Sequence, residues 1–317
     1  MSDEKKYLYG PVPSRRLGRS LGVDIVPFKV CTLDCIYCQL GRTTEKTVER
    51  KPYVSAELIE AEIRDLLKSG LQADYITIAG AGEPTLNSQL GEIIRRLKNN
   101  TNIPVAVVTN GTLFYRQDVR ADCAKADVVL PSLDAGDEQT FLKINRPHPD
   151  ISIEKHISGL CSFRKEFTGQ IWLEVFVVEP VNTSVEQIAN IKAAIERIRP
   201  DKVQLNTAVR PTAEIGVVKL NDEKLRTIAE MIGPQCEIIA NIAPGEHLED
   251  ISTLHSQAAQ KIQTLLSMLK RRPCCLNDIS SAMNIGPNEA IKYVTDLQQR
   301  GLIAPQRKNG LIFYKAL

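Results

Sequence analysis

Short runs rich in Val and Ile alternate with amphipathic stretches between residues 21 and 241, and no other feature limits the fold as tightly. Strands are expected at residues 21–28, 75–79, 104–109, 127–133, 170–178 and 202–207, in runs bounded by Gly, Pro or Asn. Helices are expected at 56–69, 89–99, 153–167 and 185–199. The first of them repeats apolar residues at Leu58, Ile59, Ile63, Leu66 and Leu67. Six β-then-α units in series predict a parallel sheet. Curved and partly closed, that sheet is a partial (β/α)6 TIM-like barrel, an α/β fold with its function at the C-terminal ends of the strands.

The last segment breaks this rhythm. Helices at 262–271 and 276–283, a turn at Asn284-Ile285-Gly286-Pro287, a helix at 288–300 and a hairpin at 302–315 with Asn309-Gly310 at its tip follow in that order. Such an order predicts a small C-terminal winged helix-turn-helix domain. The expected division is therefore a barrel at 1–245, a linker at 246–261 with its hinge around 244–256, and the winged domain at 262–317.

Charge separates the two parts. The chain carries 40 Lys plus Arg and 38 Asp plus Glu, but from Lys261 onward nine basic residues face three acidic ones, leaving 31 against 35 before it. A basic tail suits contact with nucleic acid or another polyanion, and a solvated basic surface is the plain alternative. In a winged helix, Asn288, Lys292 and Gln299 would face a major groove while Arg307 and Lys308 met phosphates. Docking of a peptide or protein partner is an equal reading.

No apolar run approaches the roughly 20 residues that span a bilayer, and Met-Ser-Asp-Glu-Lys-Lys at the start lacks the apolar core of a secretion signal. A cytoplasmic protein without a membrane partner is expected. Eight cysteines in a reducing compartment read as thiols and metal ligands rather than as disulfides.

Three of them cluster in Cys31-Thr32-Leu33-Asp34-Cys35-Ile36-Tyr37-Cys38, directly after the first expected strand. Three thiolates within eight residues can wrap one soft metal centre. A 4Fe-4S cluster fully held by protein needs a fourth thiolate, so three leave one iron open to a chelating substrate. A zinc site or a chance loop of free thiols are the alternatives. Zinc would call on a distant residue, and His148, His156, His247 and His255 all lie far along the chain.

Cys-x3-Cys-x2-Cys with an aromatic residue before the last Cys resembles the signature of radical S-adenosylmethionine (SAM) enzymes, over roughly residues 7 to 241. The resemblance implies that Cys31, Cys35 and Cys38 hold a 4Fe-4S cluster whose open iron binds the amino and carboxylate groups of SAM. One electron from a reductant such as flavodoxin or ferredoxin then cleaves the sulfonium to methionine and a 5'-deoxyadenosyl radical, which takes hydrogen from a substrate. Gly80-Ala81-Gly82-Glu83-Pro84 is similar to the family's motif for the methionyl ammonium, with Gly80 and Gly82 admitting the ligand and Glu83 as its acceptor. Asn110, Ser132 and Asp134, at later strand ends, match positions that contact the ribose and methionine carboxylate, and Tyr37 the aromatic near the adenine.

Further polar residues are candidates for the substrate. Arg15, Arg16 and Arg19 place three guanidiniums in five residues and can clamp phosphate or carboxylate oxygens. Glu174, Asn206 and Arg210 belong to the fifth and sixth units, where Glu174 is either a substrate contact or half of a salt bridge inside the barrel. Residues 9–16 together with 31–41 resemble the iron-sulfur oxidoreductase group related to tRNA wyosine synthase. No Cys precedes Cys31 to build the second cluster of those synthases, and the pair Cys274-Cys275 reads as buried small hydrophobes in a helix-turn connection. Two functions stand. One is a radical SAM enzyme acting on tRNA, another polyanion or a peptide; the other is an iron-sulfur redox-sensing regulator that binds DNA through the tail.

Overall fold

The computed structural model describes residues 7–209, 212–214, 216–240, 261, 262, 265, 266, 269, 273–283, 285–308 and 311–317. The expected linker and hinge lie outside the described residues except for Lys261, as do Arg210, Asn284, the tip pair Asn309-Gly310 and six of the ten residues of the helix expected at 262–271.

An α/β body with a mostly parallel sheet is observed. β1 (Leu8–Ser14) and β2 (Gly18–Val23) form an antiparallel pair, and β3 (Val30–Cys31) with β4 (Glu45–Lys46) frames the cysteine loop. β5 (Tyr75–Ile78), β6 (Val105–Thr109), β7 (Val128–Pro131), β8 (Gln170–Phe176), β9 (Lys202–Asn206) and β10 (Cys236–Ile238) then continue from β2 in parallel. The sheet has eight strands where six were expected. Pro11 and Pro13 disguise β1 as a loop, although an edge strand tolerates proline because its free N–H side needs no partner. Three residues of β10 are too few to show a pattern.

The sheet is rolled. Arg15 of the β1–β2 turn donates to Asn206 Oδ1 on β9 at 3.5 Å and to the Ile239 carbonyl just past β10 at 3.2 Å. In a flat eight-stranded sheet those edges would stand about 34 Å apart, at 4.8 Å per strand. Alternation along each strand gives the roll two faces. Ala106, Val128, Leu130 and Trp172 join Leu17 in a small inner cluster, while Val105, Val107, Val129, Ile171 and Leu173 join the large core with the helices.

Those helices are α1 (Ala56–Lys68), α2 (Leu90–Asn100), α3 (Gln117–Cys123), α4 (Glu138–Ile144), α5 (Ile153–Glu166), α6 (Val185–Ile198) and α7 (Asp222–Ile232). Side chains of Ser55, Asp137, Ser152, Ser184 and Asn221 cap five of them, each accepting from a backbone N–H of the first turn. Leu58 leaves its expected stripe and is 50% exposed, because α1 buries Ala56, Ile59 and Ile63 instead. The short helices α3 and α4 span barely two turns each, too little sequence for a periodicity to show.

The tail packs around its own core. β11 (Cys274–Cys275), α8 (Leu276–Met283), α9 (Pro287–Gln299), β12 (Ile303–Lys308) and β13 (Leu311–Ala316) enclose Leu265, Cys274, Ile279, Val294, Leu297 and Tyr314. Cys274 and Cys275 thus sit in a strand paired with β13, not in a helix-turn connection. Body and tail touch. Asn288 donates to the Ala79 carbonyl at 2.8 Å, and the Arg307 guanidinium donates to the carbonyls of Thr212, Ala213 and Glu214 at 3.1 to 3.3 Å. A cleft of about 430 Å³ between them is lined by Val209, Val217, Thr295 and Gln299 among others. Of the tail residues expected to meet a groove and phosphates, Asn288 and Arg307 are therefore turned to the body, while Gln299 lines the cleft and stays exposed. Among the described residues, no helix is long and apolar enough to cross a membrane.

Candidate active site

The cysteine loop follows β2 and is pinned from several sides. Asp34 and Ile36 donate backbone bonds to the carbonyls of Asn145 and Ile144 past α4, Glu214 donates to the Ile36 carbonyl, and Thr43 closes the loop on Asp34 Oδ1 at 2.7 Å. Each sulfur then meets a different N–H donor. Leu33 N and Asn110 Nδ2 approach Cys31 Sγ at 3.4 and 3.5 Å, Asn145 Nδ2 approaches Cys35 Sγ at 3.4 Å, and Lys29 Nζ approaches Cys38 Sγ at 3.0 Å. Burial pushes the Cys31 thiol up to about 12 and the Cys35 thiol well above its ordinary value, with carboxylates nearby adding to it. A thiolate is stable here only beside compensating positive charge.

These donors fit an iron-sulfur cluster, whose sulfurs accept N–H···S bonds.

The glycine loop after β5 is zipped to the cysteine loop. Lys29 N donates to the Ala81 carbonyl at 2.8 Å, and Glu83 N to the Val30 carbonyl at 2.9 Å. Gly82 is required by that approach, since a Cβ there would lie 2.0 Å from the Val30 carbonyl oxygen. Glu83, the expected ammonium acceptor, is engaged by the protein itself. It is 2% exposed, its Oε1 accepts from Thr85 N, Thr85 Oγ1 and Thr109 Oγ1, and its Oε2 accepts from Asn110 N at 2.8 Å. Burial raises its carboxyl while those donors pull it back. Glu83 therefore ties the glycine loop after β5 to the end of β6.

Asp134 is likewise engaged. Tyr37 Oη and Asn145 Nδ2 donate to its Oδ2, the latter at 2.7 Å, and Phe176 N donates to Oδ1 at 2.8 Å. Burial lifts it to about 6 against those bonds. It thereby holds Tyr37, whose ring stacks on Phe176 with centroids 4.0 Å apart. Asn110 is turned the same way. Its amide donates to Thr32 Oγ1 at 2.8 Å and its oxygen accepts from Thr112 N. Ser132 sits half-buried at the end of β7, its backbone bridged to that of Glu174.

Of the substrate candidates, Arg16 forms an ion pair with Glu174, and Asn206 Nδ2 donates to the same carboxylate at 2.8 Å. Burial would raise Glu174, but Arg16, Asn206 and Arg15 outweigh it and hold the carboxyl below its usual range. The clamp is thus occupied by an internal salt bridge. Arg19 is not part of it: its backbone and guanidinium face Asp74 on the outside, at the opposite end of β2 from the cysteines. Lys29 was missed altogether, because lysines are rarely buried and nothing in the sequence singles this one out.

The Radical SAM superfamily model matches residues 25–203, more than half of the chain, and the chain belongs to that superfamily. Membership makes it a radical SAM enzyme with SAM and a 4Fe-4S cluster as cofactors. Within the superfamily it is 31% identical over 298 residues to UPF0026 protein MJ1312 of Methanocaldococcus jannaschii, covering 90% of this chain and 92% of that protein. A protein named GTPase Obg in Brachyspira hyodysenteriae is 36% identical over 311 residues, 98% of this chain, but the chain spans only 45% of its length. No Gly-Lys pair occurs in this sequence, so it lacks the phosphate loop of P-loop GTPases. A structure of TYW1 with a lysine-pyruvate adduct bound shares the fold, at a TM-score of 0.50 and 21% identity, covering 68% of this chain and 72% of that one.

Proposed function

We propose that Cys31, Cys35 and Cys38 hold the 4Fe-4S cluster and that the glycine loop receives the methionyl end of SAM. With a one-electron reductant such as flavodoxin or ferredoxin, the bound pair supplies reductive cleavage to methionine and a 5'-deoxyadenosyl radical that abstracts hydrogen from substrate. The chain's own residues orient that chemistry. Glu83 fixes the distance between the glycine loop and β6, Gly82 lets that loop lie against the cluster segment, and Asp134 holds the Tyr37 ring of the cysteine loop against Phe176. The single observation that carries the reading is three cysteine sulfurs on one pinned loop, each facing its own N–H donor.

We read the tail as a winged helix that recruits the substrate, a tRNA, another polyanion or a peptide, in the cytoplasm. The regulator reading is weakened at Asn288 of α9, whose amide is bonded to the body. Anaerobically reconstituted protein given dithionite and SAM should yield 5'-deoxyadenosine. Absence of cleavage by protein with a full complement of iron would overturn the proposal.

A further inference from the structure

We infer that Lys29 is a positioning residue that raises the reduction potential of the cluster through a charge-assisted N–H···S bond to Cys38, an inference resting on the cluster assignment above. Three features single it out. Its side chain is buried, at 3% exposure, where an ammonium is costly unless paired, and the contact it makes is Cys38 Sγ at 3.0 Å. Its backbone lies in the left-handed region at φ 60°, which a residue with a side chain occupies only when the surroundings impose it. The surroundings do so. Lys29 N donates to the Ala81 carbonyl, and its carbonyl accepts from Thr44 N and Glu45 N, so the residue is clamped where the cysteine loop meets the glycine loop.

The charge matters because of its asymmetry. Cys31 and Cys35 receive neutral N–H donors, whereas Cys38 receives a cation. Each electron added to a thiolate-bound cluster makes it more negative, and a fixed positive charge at hydrogen-bond distance favours the reduced form. Lys29 therefore makes the cluster easier to reduce by a weak donor. Merely structural packing of the stem would not distinguish a charged from a neutral head.

The test compares full-length wild type, Lys29→Met, Lys29→Gln and Lys29→Arg after anaerobic reconstitution, by iron content and by EPR-monitored redox titration without SAM. Lys29→Met and Lys29→Gln should keep the iron and shift the midpoint negative by a tenfold or larger change in the reduction equilibrium, about 59 mV for one electron. Lys29→Arg should stay near wild type. Unmoved midpoints in clusters of full iron content would overturn the inference, as would an Arg variant displaced as far as Met. If Met and Gln fail to retain iron, retention by Arg supports the charge and loss by Arg overturns it. A wild type without a cluster would instead overturn the proposed function itself.

Discussion

Body and tail each enclose an apolar core, but they treat buried polar groups differently. Near its cysteine loop the body buries Lys29, Thr32, Asp34, Glu83, Thr109, Thr112, Asp134 and Asn145, nearly all at strand ends and mutually bonded. Among the described residues of the tail, Glu289 is the buried polar side chain, and it pairs with Lys261 at 2.6 Å. Buried polar groups are retained where their satisfied networks hold something in place, so their concentration marks where the chain performs chemistry. In the tail, apolar packing suffices.

The comparison breaks first on the cysteines. Cys35→Ala should abolish both cluster absorbance and SAM cleavage, while Cys274→Ala should leave both; a full cluster in Cys35→Ala would refute the ligand set. Next comes Glu83→Ala, which strips four neutral donors of their buried carboxylate and should lower stability in urea unfolding by about 1 to 3 kcal/mol for each donor left unsatisfied. A loss under about 1 kcal/mol would mean that water replaces the carboxylate.

His156 gives a pH-dependent effect of similar origin. It is buried on α5, and burial pulls it down to about 4 from 6.5 against a weak contact with the Asn110 backbone. Below pH 6.5 the unfolded chain takes up a proton that the folded chain refuses. Its contribution is therefore full above 6.5 and lost as pH falls toward about 4, by about 3 kcal/mol in total. Asp134, raised to about 6, moves stability in the opposite direction, so the difference between wild type and His156→Leu isolates the histidine. Parallel pH profiles for the two proteins would contradict this. Smallest is Asn288→Ala, which removes one bond between tail and body and should cost about 1 kcal/mol. Faster amide exchange confined to 287–299 and 79–83, with cleavage unchanged, is the expected signature.

What the sequence reveals divides along the same line. Strands of the parallel sheet and the cysteine loop announce themselves through Val-Ile runs and spacing, because burial on both faces and ligation by one loop are local requirements. The partners of Glu83, Asp134 and Arg16 do not, since each carboxylate or guanidinium has at least one partner 26 to 158 positions away. A carboxylate at a strand end looks the same in sequence whether it faces a ligand or ties two loops. Lys29 is hidden for the same reason, as is the turn of Asn288 toward the body, which depends on where a whole module comes to rest.

Two side chains of one turn span the discontinuity in the rolled sheet. Arg15 clasps Asn206 and the Ile239 carbonyl while Arg16 pairs with Glu174 on β8, so among the described residues the hoop closes through guanidiniums rather than through a strand ladder. Parting it there asks side chains alone to let go, whereas parting β8 from β9 breaks a backbone ladder of five residue pairs. Widening at this seam to admit a large guest requires the release of both arginines.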